Sequence, residues 1–501
     1  MAKKFLVKLI CSALILSTAA VMIFSCATEE GSGNVTTTAA VGGWGIPDSD
    51  GDEYYEGEYV RRYQFPEGAD FGGQAMRIIT QDRSDWAWSS MMAEELTGDP
   101  INDAIYNRNA AVEQGLNVVI TEFHISDAPG TARRAILAGS DDYEVVFTDS
   151  SQSGTLASQG MFLNLHYVPG LELDAPWWNQ NAHESAELLG KLYFTTSDAN
   201  LVTNDAIWVV YFNQQIRQDL QLDCPYEHVR NGTWTMEVFY NMARASAIDL
   251  DGDGVWTAAD QWGISTHNLG FLAFFIGQGE RLTRLDDNGE PYLIQPDERF
   301  VSAFYNAHRL MDQTGGLFLH AQGNFPGRTA DIGHARLTFM ANMSLFATEV
   351  LSHARVFREM EADFGLLPHP KYDVHQENYY TFMIDTVPAF GIPVTVRDPE
   401  TVGIFMEAMT GVSAETIIPA YYEISLHTRF TRDEDSVEML DIIREGRIFD
   451  LAVLYNWGSF YGTFISHGVS NPNPMTIYER HGARVATMIE RTLESFLALE
   501  H

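Results

Sequence analysis

The stretch NDAIWVVYFNQQIRQDL, at positions 204–220, decides the fold of this chain. Its apolar residues run without interruption before Gln and Arg take over, which is typical of a buried strand that passes into a helix. The sequence GTWTMEVFYNMARAS at 232–246 predicts a second helix, because its apolar residues recur at three- and four-residue spacings and Thr233 or Thr235 can cap it. A buried strand between such helices indicates an α/β protein.

The chain before this stretch repeats the same alternation. Strands are predicted at FGGQAMRIIT (71–80), NVVITEF (117–123) and YEVVFTDSS (143–151). Helices are predicted between them, at INDAIYNRNAAVEQ (101–114) and TARRAILAG (131–139). Strands that alternate with helices indicate an α/β lobe with a largely parallel sheet.

Length and charge restrict the domain count and the partners. The 501 residues exceed one ordinary core, so at least two lobes are expected. The formal net charge of −37 argues against nucleic acid or an anionic membrane surface as a partner. The three cysteines are Cys11, Cys26 and Cys224, and only Cys224 can lie in the folded body. A disulfide framework and a thiolate metal cluster are therefore excluded there.

The amino terminus has the pattern of an export signal. Lys3, Lys4 and Lys8 precede an apolar run, which predicts a signal peptide at 1–25. The sequence Ile-Phe-Ser-Cys that ends at Cys26 resembles a bacterial lipobox, in which the Cys is lipidated; ordinary cleavage and an uncleaved anchor remain alternatives. Residues 26–62 contain few apolar side chains and are expected to form a flexible tether. The chain is thus expected on the extracellular face of a bacterial cell membrane.

Several polar and aromatic residues fall where a ligand is expected. In α/β sheets ligands bind beyond the carboxyl ends of the strands. Indole faces pack against sugar rings, while carboxylates and amides bond hydroxyl groups, so this combination suits a carbohydrate cleft. The candidate ligand-binding residues are Trp86, Trp88, Asp149, Ser150, Trp178, Asn204, Asp205 and Trp457.

The acidic loop DLDGDGVWTAAD, at 249–260, has the spacing of a calcium site. Asp249, Asp251 and Asp253 stand at positions 1, 3 and 5, the Val255 carbonyl at 7 and Asp260 at 12. Oxygen ligands at this spacing converge on one point, so a structural calcium ion is expected. An acidic turn that needs no ion is the alternative, and no catalysis follows from either.

The chain resembles the bacterial extracellular solute-binding proteins, the sugar-binding lipoproteins of ABC importers. The resemblance rests on GTWTMEVFYNMARASAIDLDGDGVWTAADQWGI (232–264), FGGQAMRII (71–79), AIWVVYFNQQIRQDLQLDCP (206–225) and DFGLLPHPKYD (363–373). These pieces extend over nearly all of the chain from Phe71. The order of the pieces carries the resemblance more than any single motif.

The resemblance implies a two-lobed, periplasmic-binding-protein type II-like α/β fold with discontinuous lobes. The lobes would be 63–205 with 338–400 and 206–337 with 401–475, followed by a C-terminal helix at 476–501. Hinge crossings would lie near 204–209 and 337–342. The family further implies a monomer without enzymatic activity that holds a sugar between the lobes and presents it to an ABC-transporter permease.

Two other functions remain open at the level of sequence. A secreted glycoside hydrolase needs two carboxylates across a cleft, and with 68 acidic residues such pairs are certain to exist. The sequence contains no nucleophile elbow, HExxH or P-loop motif. A binding protein for a peptide or another organic solute would use the same lobes.

Overall fold

A computed structural model describes residues 62–499 except 84, 85, 87, 258, 321–332 and 423–434, with the backbone alone at 319, 320, 333 and 334. The predicted signal peptide, Cys26 and the predicted tether up to residue 61 lie outside the described residues. The described residues fall within one compact unit, Arg61–His501. None of their helices combines the length and apolar character needed to cross a membrane.

The structure alternates short strands with helices. The strands are β1 Gln74–Gln81, β2 Val118–Ile125, β3 Val145–Asp149, β4 Trp208–Asn213, β5 Trp262–Thr266, β6 Thr283–Leu285, β7 Pro291–Leu293, β8 Phe318–His320, β9 Ser344–Val350, β10 Phe364–Leu367, β11 Thr381–Phe382, β12 Pro388–Gly391 and β13 Arg447–Ile448. The helices are α1 Pro100–Leu116, α2 Ala128–Leu137, α3 Ser150–Ser158, α4 Gln180–Ala186, α5 Val202–Asp205, α6 Gln214–Asp219, α7 Pro225–Arg230, α8 Met236–Ser246, α9 Leu269–Gly277, α10 Glu298–Arg309, α11 Gly333–Met340, α12 Ala354–Phe357, α13 Pro399–Pro419, α14 Asp435–Glu445, α15 Leu451–Leu454, α16 Phe460–Ser470 and α17 Met475–Ala498.

Two main sheets organise these elements. The four-stranded sheet has the order β12-β3-β1-β2, in which β1 is parallel to β2 and β3 and only β12 is antiparallel. The five-stranded sheet has the order β10-β4-β9-β5-β8, in which β5 is parallel to β8 and β9. Strand β4 is antiparallel to both its neighbours. Each parallel set follows from strand–helix–strand connections, which return the chain to the same edge.

The elements predicted around the opening stretch are confirmed. Every residue of β4 is buried, and α6 follows it directly. Helix α8 begins after Thr235, whose hydroxyl accepts a hydrogen bond from the Val238 amide at 3.5 Å. The predicted order of β1, α1, β2, α2 and β3 is also confirmed. The α/β class therefore follows from local patterns.

The chain crosses between the two sheets along two neighbouring segments. Residues 195–207 lead from the first sheet to β4, and 383–388 lead back to β12; isolated bridges join Thr195 to Phe390 and Ile207 to Met383. We call these segments the first and second crossings. The predicted crossing at 204–209 overlaps the first of them.

The second crossing and the lobe boundaries differ from the predicted ones. Strands β9 and β10 both belong to the five-stranded sheet, so the chain returns after β11 and not near 337–342. The predicted crossing near 337–342 falls largely on helix α11, which ends at Met340. Helix α13, predicted in the second lobe, packs against α1 beside the four-stranded sheet. The amphipathic pattern of a helix does not specify which sheet the helix covers. The assignment of α13 to the second lobe was wrong for this reason.

Candidate ligand-binding cleft

The carboxyl ends of the parallel strands in both sheets lie next to the crossings. In the first sheet, β1 leads to Arg83 and β3 ends at Asp149. In the second sheet, β5 leads to His267 and β9 ends beside Glu349. The amide of Leu351, just after β9, donates to the Ile207 carbonyl of the first crossing at 2.8 Å. The candidate cleft is therefore built from two strand edges that share the crossings.

The edge of the first sheet holds a polar cluster. Arg83 forms an ion pair with Asp149, with a second contact of 3.1 Å from Nε to Oδ1. The Tyr461 hydroxyl, from α16, donates to Asp385, and burial together with the Asp385 charge raises the pKa of that hydroxyl. Ser150 is fully buried, and its hydroxyl donates to the Asp385 carbonyl at 3.1 Å. The predicted residues Asp149 and Ser150 thus contact Arg83 and Asp385, two residues that sequence reasoning did not select.

The two tryptophans of the loop after β1 stand beside this edge. Trp86 and Trp88 are half-buried and pack against the core. The Trp88 indole Nε1 is buried and has no hydrogen-bond partner among the described residues. An open N–H donor beside an accessible ring can bind a sugar hydroxyl while the ring stacks on the sugar. Both residues remain candidates for ligand binding.

The edge of the second sheet contains buried polar residues that sequence reasoning missed. Glu349 is 3% exposed, and its Oε2 lies 3.2 Å from Nδ1 of His353. The other oxygen, Oε1, is buried and has no hydrogen-bond partner in the described part of the chain. The only signal in the sequence was one acid near the end of the apolar strand SLFATEV.

Asn204 and Asp205 are committed to the protein itself, which corrects their predicted role as hydroxyl partners. Both are fully buried. Asp205 accepts a hydrogen bond from the Tyr421 hydroxyl at 2.7 Å and pairs with Arg355 at 3.3 Å. Burial raises the pKa of Asp205, while Arg355 and Tyr421 oppose the rise. These contacts tie the first crossing to neighbouring elements.

Asn204 is engaged in the same way. It donates to Asp198 at 2.9 Å and accepts from the Tyr422 hydroxyl at 2.7 Å. Both ends of its amide are therefore used inside the protein.

Trp178 and Trp457 are core residues, which corrects their prediction as stacking platforms. Trp178 is 4% exposed, and its indole N–H donates to Glu407 at 3.0 Å. Trp457 is 2% exposed, stacks on Tyr455 with ring centroids 5.2 Å apart and donates to the Thr492 hydroxyl at 2.9 Å. A ring with both faces packed offers no surface to a sugar. Aromatic composition alone does not distinguish this case from a binding platform.

The acidic loop brings together three of its predicted ligands. Carboxylate oxygens of Asp249, Asp251 and Asp253 lie within 4.8 Å of one another. Asp260 is buried and accepts hydrogen bonds from the amides of Leu250 and Thr257 at 3.0 and 2.7 Å.

Val255, the fourth predicted ligand, is exposed. The carboxylates of Asp249, Asp251 and Asp253 thus fit a cation in part, whereas Asp260 instead closes the loop.

The charges in this loop repel one another. The Gly254 amide, which donates to Asp249 at 2.8 Å, lowers the pKa of that carboxyl. The Asp253 amide likewise favours ionised Asp251, yet the pKa of Asp251 is raised, because desolvation and the charges of Asp253 and Asp249 outweigh it. A bound cation would relieve this repulsion.

Comparison by sequence finds no matching protein family and no matching curated protein. Comparison of structures finds many matches. A sugar transporter of Rhizobium etli in an open conformation is 14% identical, with a TM-score of 0.55 over 85% of this chain and 100% of that one. An ABC substrate-binding protein of Listeria monocytogenes in complex with cycloalternan is 10% identical, with a TM-score of 0.51 over 85% and 99%. The maltose/maltodextrin-binding domain MalE of Bdellovibrio bacteriovorus, bound to maltotriose, is 14% identical, with a TM-score of 0.50 over 84% and 100%. These likenesses confirm the predicted two-lobed fold.

Proposed function

We propose that this chain captures a sugar or oligosaccharide at the two strand edges beside the crossings and delivers it to an ABC importer. The observation that carries the proposal is the set of buried polar atoms left open at these edges, on Trp88, Glu349 and Arg355. A sugar hydroxyl donates one hydrogen bond and accepts two, so it can match both open donors and open acceptors. The similar structures described as sugar transporter and maltodextrin-binding domain support the same function.

The cellular setting is part of the proposal. The lipobox-like sequence at Cys26 and the tether after it favour a lipid anchor on the extracellular face of the cell membrane. From there a monomeric binding protein would meet a permease. Replacement of Cys26 by Ser is expected to move the protein from the membrane fraction to the soluble fraction, and an unchanged distribution would exclude the anchor.

We also infer a structural calcium ion in the acidic loop. The convergence of Asp249, Asp251 and Asp253 and their mutual repulsion support it. Oxygen-rich clusters of this kind suit Ca²⁺. The loop precedes β5, whereas the candidate cleft lies at the carboxyl end of that strand, so the ion would steady the fold without touching the sugar.

Titration of intrinsic tryptophan fluorescence with a panel of neutral oligosaccharides, among them maltotriose, tests capture. Wild type is expected to show a saturable change without release of cleaved product. The Trp88→Phe variant should bind about 10-fold more weakly, because it loses an indole N–H and part of a stacking face. Trp256→Phe, which alters a half-buried indole in the acidic loop, is the matched control and should bind as wild type does.

The same titration separates the alternatives. New reducing ends would identify a glycoside hydrolase and overturn capture. A saturable change with a peptide library but with none of the oligosaccharides would favour the peptide-binding alternative.

A further inference from the structure

The carboxyl end of β9 carries two charged side chains that the fold uses only in part. Glu349 is the penultimate residue of the strand, and Arg355 lies in α12, which follows closely. In the segment between them, the carbonyls of Val350 and Leu351 accept hydrogen bonds from the Tyr211 hydroxyl, each at 3.0 Å. Burial raises the pKa of Tyr211, and the charge of Glu349 adds to the rise while Arg355 opposes it. The charges of both side chains therefore act on the same hydroxyl.

Each of the two side chains is only partly engaged by the protein, and Nε of Arg355 donates to the Ser352 carbonyl at 3.2 Å. Glu349 uses Oε2 toward His353 at 3.2 Å, and Arg355 uses Nη2 toward Asp205 at 3.3 Å. Oε1 of Glu349 and Nη1 of Arg355 are buried without a hydrogen-bond partner among the described residues. A buried polar atom without a partner costs about 1–3 kcal/mol. Two such atoms near the end of β9 therefore need partners that the described residues do not supply.

The two open atoms define the chemistry of that ligand group. Oε1 of Glu349 accepts a hydrogen bond, and Nη1 of Arg355 donates one. A hydroxyl group satisfies both, because it carries a proton and two lone pairs. A carboxylate brings no proton for Glu349, and an ammonium group brings no lone pair for Arg355.

We propose that Glu349 and Arg355 together bind a neutral hydroxyl group of the ligand, Glu349 as hydrogen-bond acceptor and Arg355 as donor. The inference rests on the proposed sugar capture and specifies its ligand as a neutral saccharide, in preference to a uronate or an amino sugar. Through Asp205, the same Arg355 connects this pair to the first crossing. Arg355 thereby links the recognition of the ligand to the segment that joins the two sheets.

Calorimetric titration with the oligosaccharide that wild type binds most tightly tests the pair. Glu349→Gln removes the charge on the acceptor, and Arg355→Lys leaves one ammonium group for two partners. Each is expected to weaken binding about 10- to 100-fold, since hydrogen bonds to charged groups are lost. Wild type should also bind the neutral sugar at least about 10-fold more tightly than a uronate or amino sugar of equal length.

Glu359→Gln is the matched control, because it makes the same change on an exposed side chain nearby. Affinities for the control and for wild type should agree. If a variant unfolds, Glu349→Asp takes its place, as it keeps the charge but draws the carboxylate back by one methylene.

The outcomes separate the two proposals. If wild type binds a saccharide and the Glu349 and Arg355 variants bind it equally well, the pair is excluded while capture stands. If wild type binds none of the saccharides, sugar capture fails and the pair fails with it.

Discussion

At the scale of single residues, buried polar side chains fix how the loops of the first sheet lie. Arg108, on α1, is fully buried, and burial lowers its pKa to about 9. It donates to the Met91 carbonyl at 2.7 Å, the Ser413 hydroxyl at 2.9 Å and the Ala199 carbonyl at 3.2 Å. One guanidinium therefore holds the loop after Trp88, helix α13 and the first crossing in register.

His369 predicts a measurable loss of stability in acid. It is fully buried, neither ring nitrogen has a partner among the described residues, and desolvation lowers its pKa from 6.5 to about 3. Between pH 6.5 and about 3, His369 is therefore protonated in the unfolded chain and neutral in the folded chain. The stability that neutral His369 provides is complete above pH 6.5 and is lost as the pH falls toward 3.

The His369→Phe variant should remove this dependence. Between pH 7 and 4.5 its free energy of unfolding should fall by roughly 2–3 kcal/mol less than that of wild type. Urea denaturation at several pH values measures the difference. The same substitution at exposed His375 is the control, and equal pH profiles for His369→Phe and wild type would refute the prediction.

At the scale of elements, the acidic loop is steadied from both ends. Its Trp256 packs against Trp262, the first residue of β5, with ring centroids 5.4 Å apart, and the Trp262 indole donates to the Thr257 carbonyl at 2.9 Å. The loop can hold its shape through these contacts and through Asp260. Calcium would then add stability to a loop that is already folded.

Calcium is predicted to raise the melting temperature, and EGTA is predicted to lower it. The Asp251→Ala variant should lose the response, because one of three converging carboxylates is removed. Exposed Asp287, in the hairpin between β6 and β7, provides the control Asp287→Ala, which should respond as wild type does. If neither calcium nor EGTA changes the melting temperature of wild type, the calcium site is excluded.

At the scale of the whole molecule, the two sheets are joined by more than the two crossings. Helix α13 lies against α1, whereas α14, which follows it in the chain, lies against β10 of the second sheet. Tyr421 and Tyr422, just after the end of α13, reach the first crossing through hydroxyl groups that donate to Asp205 and Asn204. The chain that leads from α13 to α14 is therefore a third connection between the sheets. Its first residues are hydrogen-bonded to the first crossing, the segment that would bend in a hinge motion.

Tyr421→Phe is predicted to destabilise the protein. The change leaves Oδ1 of fully buried Asp205 without its donor, at a cost of about 1.5–3 kcal/mol. Denaturant unfolding of the variant and of Tyr305→Phe, an exposed control, measures the cost. A loss below about 0.5 kcal/mol, the range of ordinary surface changes, would contradict a structural role for this bond.

The sequence by itself determined the class of fold, because periodicity and caps are local. The buried run of β4, the Thr235 cap of α8 and the alternation from β1 to β3 all act within a few residues, and each predicted its element. The resemblance of ordered pieces extended this to two lobes. The rule that strand ends bear ligands pointed to Asp149 and Ser150 at the end of β3, but not to their partners Arg83 and Asp385.

Only the tertiary structure decided which polar and aromatic groups are open. Trp178 and Trp457 were selected for the same reason as Trp88, as tryptophans in predicted loops or turns. Packing against residues far away in the sequence buries the first two. Asp205 and Glu349 are both buried acids, and only the arrangement of distant partners such as Tyr421 satisfies one and leaves an oxygen of the other free. Such contacts join residues far apart in the chain, so no local pattern records them.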